Sequence, residues 1–207
     1  MSKTIFLDAG HGGVTPSGKY TTAPSKMTEH HNEQMHYRGF FYEGVKNREY
    51  CDIIYKKLVD RGVNVVKVYH EYKDTTLGQR VKEANGYHKN ISAGFYFSEH
   101  SNAFNGKARG YCVYTSKGNT QSDYFAEKLI NMYKEKFPEM QLRVDMSDQD
   151  QDWESNFYVL RNTNMPAILT ENLFFDNLQD AKILLDPIYT ERYTDMCVEF
   201  LEIVSKS

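Results

Sequence analysis

Short runs rich in β-branched and aromatic residues alternate along this chain with stretches whose apolar residues recur every three or four positions, and that alternation sharply limits the folds open to it. TIFLDAG (4–10), VNVVKVY (63–69), AGFYFSEH (93–100), GYCVYT (110–115), NFYVL (156–160) and PAILTE (166–171) read as strands. Between them, Asn47, Cys51, Ile54 and Leu58 form one helical face, and extending it back by a turn places Glu43 at its start and Arg61-Gly62 at its end. Thr75 or Thr76 caps a second helix with inward residues Leu77, Val81, Ala84 and His88. A third, 121–136, carries Phe125, Leu129 and Met132 on one side, and Asp186-Pro187 opens a closing helix facing inward through Tyr189, Tyr193, Met196, Phe200 and Val204.

The fold expected from this order is α/β: a single domain over 1–207, with a mixed, mostly parallel twisted sheet of about six strands and helices on both faces. Strand 110–115 follows the third strand after a short loop, so an antiparallel course is expected for it. Two segments break the alternation. Residues 14–42 are polar, contain Pro16, Pro24, His30, His31 and His36, and lack an apolar period; a connection this long in a compact domain is usually functional. Residues 145–156 are acidic and irregular around Trp153, the only tryptophan.

Composition removes several classes. With 25 Lys+Arg against 28 Asp+Glu in 207 residues, the net charge of −3 argues against nucleic-acid binding by bulk charge. The opening MSKTIFLDAGHGG has an apolar run too short for a signal peptide or membrane span, so no export signal is expected, and the chain would be made in the cytoplasm. Cys51, Cys112 and Cys197 lack CxxC spacing and read as reduced core residues. GxSxG, HExxH, GxGxxG and GxxxxGK[ST] are all missing from the sequence. The 16 Tyr and 12 Phe suit either a packed core or a sugar- or peptide-binding face.

In open α/β sheets ligands bind outside the carboxyl ends of the strands. The first strand runs out at Asp8 and His11, the third at Glu99-His100, and strand 166–171 at Thr170-Glu171, while Glu43 points inward from its helix. His11, Glu43 and His100 could ligate a zinc ion, which in hydrolytic sites keeps a position for water. Asp8 or Glu99 could hold a ligating imidazole in one tautomer, and Glu171 is the candidate for moving the proton of that water. A buried carboxylate needs a cation, so Arg80 is the structural alternative to a metal. The histidines of 14–42 could form a second metal cluster or lie exposed. Tyr37, Phe40, Phe41 and Tyr42 could stack on a sugar or pack as the loop's own core.

Several segments, taken in order, carry a resemblance: IFLDAGHGG, EGVKN with its helix ending DRG, LGQRVKEAN, SEHSNA, RGYCVY and VLRNTNMPAILTENLFFDN. Together the chain resembles the zinc-dependent N-acetylmuramoyl-L-alanine amidases of the Amidase_3 type, found in bacterial autolysins and phage endolysins. The resemblance implies one Zn2+ on His11, Glu43 and His100, with Glu171 as catalytic carboxylate; Asp8, Arg80, Glu99 and Asn102 are expected around them or against substrate. It implies hydrolysis of the amide between N-acetylmuramic acid and the L-alanine of the stem peptide. Another zinc peptidase or deacylase, or a peptidoglycan-binding module without turnover, would use the same scaffold.

Three features depart from the family. Glu99 stands where an apolar residue is usual, which suggests exposure or a bond to 14–42. Leu173 replaces a usual glycine, and 14–42 is longer than the typical connection. That insertion should cover the site, making His36, Tyr37 and Tyr42 further candidates for substrate contact. The partner expected is peptidoglycan, met by a monomer after endolysin-like release or export without a signal. No nucleic acid, membrane span or separate cell-wall-binding domain is expected.

Overall fold

The computed structural model describes residues 2–91 and 93–207. Its main sheet contains β1 (Thr4–Ala9), β4 (Val65–Lys67), β5 (Gly94–Asn102), β6 (Cys112–Thr115), β7 (Trp153–Glu154) and β8 (Ala167–Phe174), in the order β4-β1-β5-β8-β6-β7. Strands β4, β1, β5 and β8 run parallel, β6 is antiparallel to β8, and β7 is parallel to β6. Parallel strands need long crossovers, and helices supply them: α1 (Glu43–Asp60), α2 (Leu77–His88), α3 (Gln121–Lys136), α4 (Tyr158–Asn162), α5 (Leu178–Leu185) and α6 (Pro187–Lys206).

Side chains alternate across the sheet, and each set meets its own helices. Ile5, Leu7, Phe95, Phe97 and Ile168 join the core beneath α1, α3, α5 and α6; Phe6, Tyr96, Ala167 and Leu169 join a smaller core under α2 and α4. The α/β sheet covered on both faces is therefore present. The inward residues expected for α6 are all buried, as are Cys51, Cys112 and Cys197. Much of the aromatic excess is core: the Tyr111 and Tyr133 rings stack with centroids 4.0 Å apart, and Tyr189 stacks on Tyr193.

Several details differ from expectation. Segment 156–160 is not a strand; its apolar residues belong to α4, where Val159 and Leu160 are buried. A short apolar run fits either state, and here the last turn is closed by its own side chains, Asn162 donating to the Tyr158 carbonyl and Thr163 to that of Val159. The edge position goes instead to Trp153–Glu154, paired with Tyr114 and Thr115. Strand β6 is antiparallel, but against β8 rather than the preceding strand. Leu77 opens α2 half-exposed instead of facing inward, and Thr76, not Thr75, caps that helix in a capping box with Gln79. Helix α5, capped by Asn177, had no counterpart in the sequence reading. The 14–42 segment is not structureless: it contains a 3-10 turn at Pro24–Lys26 and a hairpin of β2 (Met27–Glu29) and β3 (Phe40–Tyr42).

One close approach fixes α1 against the loop after β1. A Cβ on Gly44 would lie 1.9 Å from the Gly12 carbonyl oxygen, so the helix reaches the loop only with glycine there. Gly86, inside α2, has nothing within 4 Å of such a Cβ. Alanine normally stabilises a helix by roughly 1 kcal/mol over glycine. Gly86→Ala should show that gain in denaturant unfolding, whereas Gly44→Ala should lose about 2 kcal/mol or more, the sign reversed by the clash.

Candidate metal centre

The chain leaves β1 through Gly10, His11, Gly12 and Gly13, and His11 takes a left-handed backbone with φ 64°. For a residue with a Cβ this costs about 1 kcal/mol, and the surroundings hold it there. Two buried arginines donate to His11 and to the elements flanking the loop: Arg80 to the carbonyls of Ala9 at 2.6 Å and His11 at 2.8 Å, Arg48 to those of His11 at 2.7 Å and of Gly44 in α1 at 2.8 Å. Arg80 in turn is paired with Asp8, whose other oxygen accepts from Ser98 at 2.8 Å. Burial opposes ionisation of Asp8, yet the Arg80 guanidinium holds it below the usual carboxylate range.

His11, Glu43 and His100 converge at this edge, their ligand atoms all within 4.8 Å of one another. Glu43 Oε1 lies 3.1 Å from His11 Nε2 and 3.1 Å from His100 Nδ1. Glu43 is fully buried at the first turn of α1, where the helix dipole favours a negative charge. Burial would raise its pKa, but His100 and His11 together hold it well below the usual value. His11 is pushed down by burial, against the pull of Glu43, which favours the neutral imidazole a metal needs. The His100 ring lies over Gly10, where a Cβ would come within 2.2 Å of it.

The donor set fits a zinc ion. Glu43 Oε2 is buried without a hydrogen-bond partner, and His11 Nε2 approaches Glu43 without hydrogen-bond alignment, so these atoms face a shared point more than each other. Among the described residues this is the only group of three or more His, Cys, Asp or Glu so arranged. Glu171 stands directly across from His100 in the β5–β8 register. Its Oε2 is shielded and unpartnered, and burial, then the charge of Glu43, raises its pKa well above the ordinary value.

Other expectations need correction. Arg80 does not pair with Glu43 or Glu171; its donors go to Asp8 and the loop. Asp8 therefore supports the loop rather than bonding a ligating imidazole. Glu99 is neither exposed nor bonded to 14–42: it faces the opposite side of the sheet from His100, fully buried, and accepts from Thr170 at 2.6 Å and Tyr193 at 2.8 Å. Burial, only partly offset by those donors, pushes its pKa up to about 8. Leu173 adopts φ 60°, keeping the left-handed turn that glycine would make, at a bulge where Asn102 pairs with Phe174. Asn102 accepts from the Ala103 N–H and stays beside the site's strand end.

The three histidines of the insertion do not cluster. His30 is buried against the Phe175 carbonyl, His31 is exposed, and His36 accepts the Tyr42 N–H at 2.9 Å while burial pushes its pKa down to about 4. His36, exposed Tyr37 and half-buried Tyr42 line a groove of about 680 Å³ with Val14, Glu49 and Asp52. Two contributors escaped sequence reading. Lys26 brings its Nζ to 3.5 Å from Glu43 Oε2, and Arg48 shares the loop with Arg80; an isolated lysine or arginine carries no motif that marks such a role.

Residues 5–202 match the family model described as N-acetylmuramoyl-L-alanine amidase. The chain is 27% identical over 194 residues to an uncharacterized cell wall amidase of Bacillus anthracis, aligning 92% of this chain with 33% of that protein. It is 28% identical over 185 residues to the N-acetylmuramoyl-L-alanine amidase CwlM of Bacillus licheniformis, covering 87% of this chain and 60% of the other. It thus spans about a third and three fifths of these relatives. In fold it superposes on the crystal structure of an N-acetylmuramoyl-L-alanine amidase from Clostridium difficile 630 with a TM-score of 0.78, at 23% identity, covering 100% of this chain and 98% of the other.

Glu99 should make stability depend on pH. Its folded pKa lies above that of an ordinary carboxyl, so its contribution is fully present below about 4.5 and is lost as pH rises through about 8. Glu99→Gln should remove that dependence. Thermal melts of the two proteins across this window should diverge as pH rises, the variant gaining relative to wild type by a few kcal/mol; parallel profiles would mean that Glu99 folds ionised.

Proposed function

The chain belongs to the N-acetylmuramoyl-L-alanine amidase family, and from that premise we propose that it hydrolyses the amide between the lactyl group of N-acetylmuramic acid and the L-alanine of the stem peptide. The observation that carries the reading is the convergence of two imidazoles and a buried carboxylate at the carboxyl edge of the sheet, with Glu171 opposite His100. His11, Glu43 and His100 would hold one zinc ion. Zinc bound there supplies a Lewis acid for the amide carbonyl and lowers the pKa of water toward neutrality.

The protein's own part is positional and acid–base. Arg80 and Arg48 fix the His11 backbone through its carbonyl, and the glycine at position 10 lets the His100 ring lie against the loop. Glu171 accepts a proton from the attacking water and delivers it to the alanine nitrogen as the C–N bond breaks and the new C–O bond forms. The products are a lactyl carboxylate and a free amino terminus. A carboxyl raised above its ordinary pKa is suited to both transfers.

We read residues 1–207 as one catalytic unit that works as a monomer on the cell wall, with 14–42 as an insertion beside the site. No helix among the described residues is long and apolar enough to cross a membrane.

Purified peptidoglycan incubated with the protein should yield new L-alanine amino termini and no new reducing sugars, and a chelator should stop the release. Reducing ends would indicate a glycosidase, and no product a binding module. Glu171→Gln should keep its zinc by metal analysis and lose at least about 10²-fold in kcat; full activity in that variant would remove Glu171 from the mechanism.

A further inference from the structure

Lys26 is placed at the metal centre by the architecture of the insertion. In the hairpin Met27 pairs with Tyr42, so the next position outward sets Lys26 beside Glu43. Two further contacts fix its backbone: Lys26 N–H closes the 3-10 turn on the Ala23 carbonyl, and Tyr20 donates its hydroxyl to the Lys26 carbonyl at 2.9 Å while accepting the Gly44 N–H at 3.1 Å. A lysine on a polar loop ordinarily points into water. This one is tied on both sides to the start of α1.

Its head group is held there but not consumed. The 3.5 Å approach to Glu43 Oε2 is longer than a charge-assisted hydrogen bond of about 2.8 Å, and Glu43 Oε2 has no hydrogen-bond partner of its own. The side chain is 38% exposed, open to an incoming molecule. Its Nζ lies 3.5 Å from the carboxylate that sits between the two histidines, so it stands at the rim of that centre. A carbonyl attacked there approaches along the rim. Arg48 and Arg80, the other nearby cations, have donors committed to backbone carbonyls and Asp8.

We propose that Lys26 is a catalytic residue: its ammonium binds the carbonyl oxygen of the scissile amide and stabilises the negative charge that grows there as water adds. The inference rests on the amidase reading above. It forms no covalent bond and transfers no proton; the lysine releases the oxygen with the product carboxylate. A cation aimed where charge develops contributes mainly to kcat rather than to ground-state binding.

The test compares wild type with Lys26→Met and Lys26→Arg, all loaded with zinc. Lys26→Met should lose about 10²-fold in kcat with KM changed less than about threefold, and Lys26→Arg should recover part of the loss. A phosphinate isostere of the muramoyl-alanine amide, anionic where the oxyanion forms, supplies a readout independent of turnover: its affinity by calorimetry should fall at least about tenfold in Lys26→Met. Affinity for the neutral amide, measured in a Glu171→Gln background, should change far less. Lys26→Cys alkylated with bromoethylamine restores an ammonium and should restore activity, since Cys51, Cys112 and Cys197 are buried from the reagent. Thermal melts and zinc content establish that each variant is folded and loaded. Unchanged kcat in Lys26→Met, or equal losses for phosphinate and amide, would overturn the role. If wild type itself releases no amino termini, the amidase reading fails instead.

Discussion

The site depends first on a buried ion pair that touches no ligand atom. Asp8 and Arg80 meet in the interior between β1 and α2, and charges there are tolerable only because each is almost fully hydrogen-bonded, Asp8 by Ser98 and Arg80 by the carbonyls of Thr75, Ala9 and His11. The pair's energetic value lies less in its mutual attraction than in where it directs the remaining guanidinium donors. They capture the carbonyls of a loop that would otherwise leave His11 free to abandon its left-handed conformation. The cluster of His11, Glu43 and His100 is built on a peptide backbone pinned from below.

Strand alternation does the rest. His100 and Glu171 lie opposite one another and face one side of the sheet; Glu99 and Thr170, their immediate predecessors, are bonded to each other on the other side. Each strand thus presents one residue upward to the candidate site and one downward into a buried hydrogen bond. Tyr193 of α6 completes the lower layer by donating to Glu99, so the closing helix reaches the strand carrying His100 through a hydrogen bond rather than through packing alone.

What could be read from the sequence follows how locally each feature is determined. The stripe through Asn47, Cys51, Ile54 and Leu58 sets the face of α1 by periodicity, and one more turn places Glu43, so its burial was legible. The strand ends at His11, His100 and Glu171 were legible from the pattern that precedes them. Glu99 was misread because its partner lies 94 residues away and no local pattern records it. Arg80 was recognised as important but assigned the wrong carboxylate, since sequence distance cannot distinguish Asp8 from Glu43. The helix at Tyr158–Asn162 was lost for a different reason: a strand and a helical turn bury the same few apolar residues equally well, and the sheet edge had already been taken by Trp153.

The bulge after His100 and Glu171 divides the end of the sheet into two registers. Between His100–Glu171 and Asn102–Phe174, β8 spends one more residue than β5, with Leu173 turned through the left-handed region. A one-residue offset in a sheet exchanges the faces of everything beyond it. Here the offset falls after His100 and Glu171, so it acts as a phase break between two reading frames: the frame that places those two side chains, and the frame that launches the loops at 103–110 and 175–177. Insertions or deletions in those loops can accumulate without rotating the Glu171 carboxylate away from His11, Glu43 and His100, whereas a single-residue change on the near side would turn it into the core.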